Sequence, residues 1–139
     1  VESHDENVDA IGTMVGAKGA RIQGIIRELA GEKMDIIEYN ADKATLIANA
    51  LKPARIEQVA IREDGSAIAV VAQDQLSLAI GKRGQNVRLA AHVTNCKIDI
   101  KSEEDFQKEM AELDAIVEEV DEIVEEVAET VSEEATTEE

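Results

Sequence analysis

The chain has 139 residues, with 14 Lys+Arg against 31 Asp+Glu and a formal net charge of −17. The excess is local: residues 1–101 hold 13 basic and 14 acidic side chains, whereas residues 102–139 hold 1 basic and 17 acidic, so the acidity of the whole does not exclude a polyanionic partner for the first part. No run of about 18 apolar residues predicts a membrane span, no signal-peptide pattern is visible, and with one Phe, one Tyr and no Trp any core is aliphatic, in one ordinary domain or two very small ones that lean on each other.

In chain order, Val1-Glu2-Ser3 reads as the end of a strand, and the start at Val1 rather than Met is expected of a fragment or a processed piece. Apolar spacing predicts a helix over 8–15, a tight loop at Gly16–Gly19, a helix over 20–30 closed by Gly31, and a strand over 34–38. Asp42 is placed to cap a helix carrying Ala44, Ile47, Ala48 and Leu51 on one face, ended by Pro53. Residues 55–62 read as a strand, Glu63-Asp64-Gly65-Ser66 as a hairpin turn, and Ala67-Ile68-Ala69-Val70-Val71 as a more apolar strand. Asp74 is read as the cap of a short helix with Leu76, Leu78, Ala79 and Ile80; Gly81-Lys82-Arg83-Gly84 interrupts it, Val87 to Val93 resume it, and Lys97-Ile98-Asp99-Ile100 alternates as a strand.

Two of these stretches repeat. At an offset of 65, Gly16 falls on Gly81, Gly19 on Gly84, Val15 on Ile80 and Ile22 on Val87. Met34-Asp35-Ile36 and Ile98-Asp99-Ile100 then match at an offset of 64, which places one lost residue near Gly24. Helix–strand–strand precedes only the second copy, so the first is read as truncated, with an unpaired sheet edge.

The glycines let the backbone turn tightly and approach a ligand, and the second glycine of each loop opens a helix whose free N–H groups favour an anion. Ala17-Lys18 and Lys82-Arg83 sit between the glycines, where the cations can neutralise phosphates, and Arg21, Asn86 and Arg88 lie one turn onward. Val15, Ile22, Ile80 and Val87 border an apolar groove suited to bases lying flat. A phosphate-binding P-loop does not fit, because no Gly-Lys-Ser/Thr follows a strand. Cys96 reads as a small core residue that fits a reducing compartment, and His4, His92 and Cys96 are too far apart in sequence for a zinc pattern.

Gly16–Gly19 and Gly81–Gly84, each between short helices and each followed by a strand, resemble KH domains, and the helix–strand–strand before the second loop resembles the bacterial type II order. Gln75-Leu76-Ser77-Leu78-Ala79-Ile80-Gly81-Lys82-Arg83-Gly84-Gln85-Asn86-Val87-Arg88-Leu89-Ala90 is similar to the second KH unit of the NusA family of transcription termination/antitermination factors. Val15-Gly16-Ala17-Lys18-Gly19-Ala20-Arg21-Ile22-Gln23 with Met34-Asp35-Ile36-Ile37 resembles its first. The resemblance covers about residues 1–101. It implies an α+β fold of tandem type II KH domains and binding of single-stranded nascent RNA, each loop gripping about four nucleotides of backbone. It also implies a cytoplasmic monomer associated with an RNA polymerase elongation complex, although the family's polymerase-binding domain is not in this sequence. The expected units are 1–38 (a truncated first KH unit), 39–101 (a complete second one) and 102–139 (an acidic tail). Lys18, Arg21, Lys82, Arg83 and Arg88 are the expected backbone contacts, with no catalytic residue, cofactor or metal. The alternative is a protein-interaction adaptor in which the KH surface and the tail bind polymerase or other factors.

In the tail, Leu113, Val117, Val120, Val124, Val127 and Val131 recur at alternating steps of four and three, which is coiled-coil spacing. Ser102 with Asp105 resembles a capping box. Glu118/Glu122, Glu122/Glu126 and Glu125/Glu129 repel at helical contact distance, so a frayed or partner-dependent helix is expected, disordered after about Ser132. A tail of this charge is also expected to compete with RNA for the basic loops.

Overall fold

The computed structural model describes residues 1–134, which fall into two compact units, Val1–Ser102 and the segment from Glu103 onward. The first unit begins with helix α1 (Ala10–Val15), capped by the Asp9 carboxylate on the Gly12 N–H at 3.0 Å. After the loop at Gly16–Gly19 comes α2 (Ala20–Glu28). Then follow α3 (Lys43–Ala50), β1 (Ile56–Ile61), β2 (Ala67–Val71), α4 (Leu76–Ile80), α5 (Gln85–Thr94) and β3 (Ile98–Ser102).

Asp42 caps α3, accepting from the Thr45 N–H at 2.9 Å and the Thr45 hydroxyl at 2.6 Å. Asp74 does not cap α4. It lies inside a short 3-10 turn, Gln73–Gln75, and Gln75 occupies the cap position. The extra turn carries the chain from β2 into the helix, so the aspartate that matches Asp9 in the repeat has no free helix end to serve.

The sheet order is β1-β2-β3, antiparallel between β1 and β2 and parallel between β2 and β3. The β1–β2 turn closes through Arg62 N–H to Ser66 C=O (2.8 Å), with Gly65 at φ +81. All five residues of β2 are buried, as expected of a central strand covered on both faces. The core joins Ile47, Ala50 and Leu51 of the α3 segment to Ala67, Ala69, Ala90, Cys96 and Ile98, and a smaller cluster holds Ala54, Val71 and Ala79. So many alanines let helices and sheet approach closely; the aliphatic core needs no aromatic ring.

Residues 34–38 form no strand. Their visible backbone partner is Val1, whose N-terminal amine donates to the Ile37 carbonyl (2.8 Å) and whose carbonyl accepts from the Tyr39 N–H (2.6 Å). The second unit is α6 (Glu103–Glu134), one unbroken helix that continues through Ser132; the rest of the tail, to which most of the expected disorder was assigned, lies outside the described residues.

Candidate nucleic-acid interface

The repeat is reproduced torsion by torsion. Gly16 has φ 78, ψ 173 and Gly81 φ 77, ψ 171; Lys18 has φ 51, ψ 29 and Arg83 φ 58, ψ 27; Gly19 has φ 75, ψ 12 and Gly84 φ 71, ψ 17. The hydrogen bonds match too, Gly16 N–H to Gly12 C=O and Gly81 N–H to Ser77 C=O both at 2.9 Å, then Gly19 to Gly16 and Gly84 to Gly81 both at 3.1 Å. Each loop therefore holds a non-glycine cation, Lys18 or Arg83, in the left-handed region. That conformation costs an L-residue about 1–2 kcal/mol, a local strain of the kind found where backbone is shaped for a ligand.

The correspondence runs on to the helix ends. Ala30 (φ 56) and Asn95 (φ 48) are the left-handed residues that close α2 and α5, and the next N–H groups, of Gly31 and Cys96, return to the carbonyls of Ile26 and Ala91. All of these pairs keep the offset of 65. The lost residue thus falls between Gly31 and Met34, not near Gly24, and α2 is closed by two positive-φ residues, Ala30 and then Gly31 (φ 86).

The first glycine of each loop is held against the following helix. A Cβ on Gly16 would fall 2.8 Å from the Arg21 Cβ, and one on Gly81 2.7 Å from the Asn86 Cβ. Arg21 and Asn86 occupy the same repeat position and do the same work. The Arg21 guanidinium donates to the Thr13 carbonyl. The Asn86 amide donates to the carbonyls of Ala79 (3.1 Å) and Leu51 (3.2 Å), and at 3.5 Å to that of Leu78, the counterpart of Thr13. Asn86 was expected at the RNA. Its two donors tie α5 to α4 and to the end of α3, which fixes the loop beside the exposed cations.

Lys82, Arg83 and Arg88 are exposed and line one open depression of about 350 Å³ together with Gln85. Gln85 carried no signal in the sequence beyond opening α5. Arg88 also borders a second depression, of about 360 Å³, with Ala91, His92, Asn95, Cys96 and Lys97, so it links the loop cations Lys82 and Arg83 to Lys97 beyond the end of α5, and these four make a track. Lys18 and Ala17 are exposed at the first loop. Val15, Ile22, Ile80 and Val87 are all half-buried, and Val87 also packs against the main core. Arg62 is not part of the track: it pairs with Asp99 at 2.7 Å across the sheet. A larger groove of about 580 Å³ runs between residues 33–37 of the first copy and the Asn49, Leu89 and Val93 side of α3 and α5.

Helix, Gly-x-x-Gly, helix, twice in register, the second copy completed by a sheet whose last strand is parallel, defines a pair of KH units. Residues 1–39 match the NusA-like first KH domain and residues 43–108 the NusA-like second KH domain. The chain belongs to this family, as its C-terminal tandem KH region. It is 52% identical over 106 residues to the transcription termination/antitermination protein NusA of Bacillus subtilis (strain 168), a match over 76% of this chain and 29% of that protein. The NusA of Borreliella burgdorferi is 49% identical over 108 residues (76% of this chain, 22% of that protein), and that of Mycobacterium bovis 45% over 105 residues (74% and 30%). The chain thus spans less than a third of the length of these curated relatives. Among solved structures, the crystal structure of APE1850 matches with a TM-score of 0.57 and 28% identity, over 66% of this chain and 71% of that one.

Proposed function

We propose that this chain binds single-stranded RNA without catalysis, as the RNA-reading part of a cytoplasmic transcription elongation, termination and antitermination factor that works on the RNA polymerase elongation complex. The observation that carries the reading is the pair of matching loops, each with a left-handed cation between glycines ahead of a helix N-terminus. The loops hold the phosphate backbone through N–H groups and cations. Lys18 acts at the first loop, and Lys82, Arg83 and Arg88 at the second. Arg21 and Asn86 hold the loops in shape, and Val15, Ile22 and Ile80 offer apolar edges to bases. Base preference is modest, because stacking platforms are almost absent. In this reading residues 1–38 and 39–101 are the two KH units and 102–139 is a separate acidic tail.

The test is fluorescence anisotropy with a labelled single-stranded RNA at low salt, comparing the chain with its Lys82→Asp, Arg83→Asp variant. Micromolar or tighter binding that the double variant abolishes, with its cooperative melt retained, supports the proposal. Unchanged binding by a variant that still melts cooperatively refutes it.

A further inference from the structure

We infer that α6 is a docking surface for a protein helix whose apolar face is flanked by Lys or Arg side chains. Along this helix Phe106, Met110, Leu113, Val117, Val120, Val124, Val127 and Val131 recur at steps of four and three, a seam of nearly four heptads. Ile116 and Ile123 widen the seam on one side, and Asp114 and Asp121 border it on the other. From Met110 to Val131 the large apolar side chains of α6 are 42–62% exposed. A stripe of this width and length is the face a helix presents to a partner.

Charge selects the partner. Residues 103–134 carry 15 acidic side chains and one Lys. Nucleic acid and anionic lipid surfaces are repelled by such a helix. A second copy would bring together two helices that each carry this acidic excess, which is unfavourable at low salt. A helix with Lys or Arg beside its apolar positions covers the stripe and compensates Asp114 and Asp121, which border it.

The experiment uses the full 139-residue chain and a synthetic helix of about four heptads with Leu and Ile in the seam and Lys on the flank that meets Asp114 and Asp121. Two controls keep the seam with Glu flanks, or keep the Lys-rich composition in scrambled order. Calorimetry is run at low and at high salt, and sedimentation of the chain alone reports self-association. The Lys-flanked helix is expected to bind in the micromolar range or tighter, and more weakly as salt rises. The Glu-flanked and scrambled peptides bind at least about tenfold more weakly, and Val117→Asn with Val124→Asn, at exposed positions, costs at least about tenfold in affinity. Equal binding of the scrambled peptide, or no effect of the valine substitutions, would show attraction by charge alone and overturn the proposal. So would a stable dimer of the chain that the valine substitutions dissolve, since the second copy would then be the occupant.

Discussion

Gly81 and Asn86 are pressed together: a Cβ on the glycine would lie 2.7 Å from the asparagine's Cβ and 2.8 Å from its backbone nitrogen. The contact sets how sharply α4 gives way to α5, and hence where Lys82 and Arg83 stand. Gly84, in the same loop, has open space at its missing Cβ and only its φ of +71 against substitution. The two glycines are therefore constrained by different physics, crowding plus torsion at one and torsion alone at the other.

Gly84→Ala is expected to cost about 1 kcal/mol, the penalty of a left-handed alanine. Gly81→Ala should cost about 2–3 kcal/mol, because backbone atoms of α5 must also move. Urea denaturation of the two variants measures the order. Equal losses would mean that the crowding at Gly81 relaxes freely.

Asn86 and Arg88 stand one residue pair apart on the same helix and should separate stability from binding. Asn86→Ala leaves the carbonyls of Leu51 and Ala79 without this donor and is expected to lower unfolding free energy by about 1–3 kcal/mol. Arg88→Ala removes an exposed cation; stability should change by less than about 0.5 kcal/mol, while RNA affinity falls and the slope of log affinity against log salt drops by roughly one. A stable Asn86→Ala protein with lost affinity would return Asn86 to the RNA surface.

Much of this was legible in the sequence. The repeat at offset 65, the Asp42 cap, the Pro53 stop and the hairpin before β2 each rest on local chemistry that a short window contains. Part of what escaped depends on partners distant in sequence, and part on local turns that residue type does not reveal. Residues 34–38 have strand-like alternation, but their hydrogen bonds go to Val1 and to the Asn49 side chain rather than to a strand. The inward turn of Asn86 required knowing that the Leu51 carbonyl lies beside α5. The absence of a cap at Asp74 followed from the 3-10 turn before α4, which the matching Asp9 lacks. Glycine at position 31 does stand at positive φ, but the left-handed Ala30 before it carried no signal by residue type.

Acid should reveal two carboxylates. Asp42 is held below the ordinary carboxylate range by the Thr45 hydroxyl and then the Thr45 N–H. Asp64 is held low by the Ser66 hydroxyl and N–H, with smaller help from the charges of Arg62 and Lys97. A group lowered in the folded state contributes its stability above its unfolded value, about pH 4, and loses it as pH falls through the depressed native value. Asp42→Asn and Asp64→Asn keep the hydrogen-bond acceptor without the titration. The parent should melt higher than the double variant near neutral pH, and the gap should close below about pH 4. A gap that is constant from neutral to acid pH would mean that charge plays no part in either turn.

The acidic helix should weaken RNA binding through its field. Long-range repulsion between the polyanionic tail and a polyanionic ligand lowers local RNA concentration whatever the tail touches, and it is screened over about 10 Å at 0.1 M salt. Removing residues 103–139 is therefore expected to raise RNA affinity several-fold at about 50 mM salt, with the two proteins converging to within about twofold by roughly 0.3 M. The slope of log affinity against log salt should be steeper for the shortened protein, because it lacks the repulsion that salt relieves. Anisotropy titrations across the salt series measure both quantities. Equal affinities at low salt would reduce the tail to the protein-docking role inferred for α6, since a helix that repels RNA measurably must do so most strongly where screening is least.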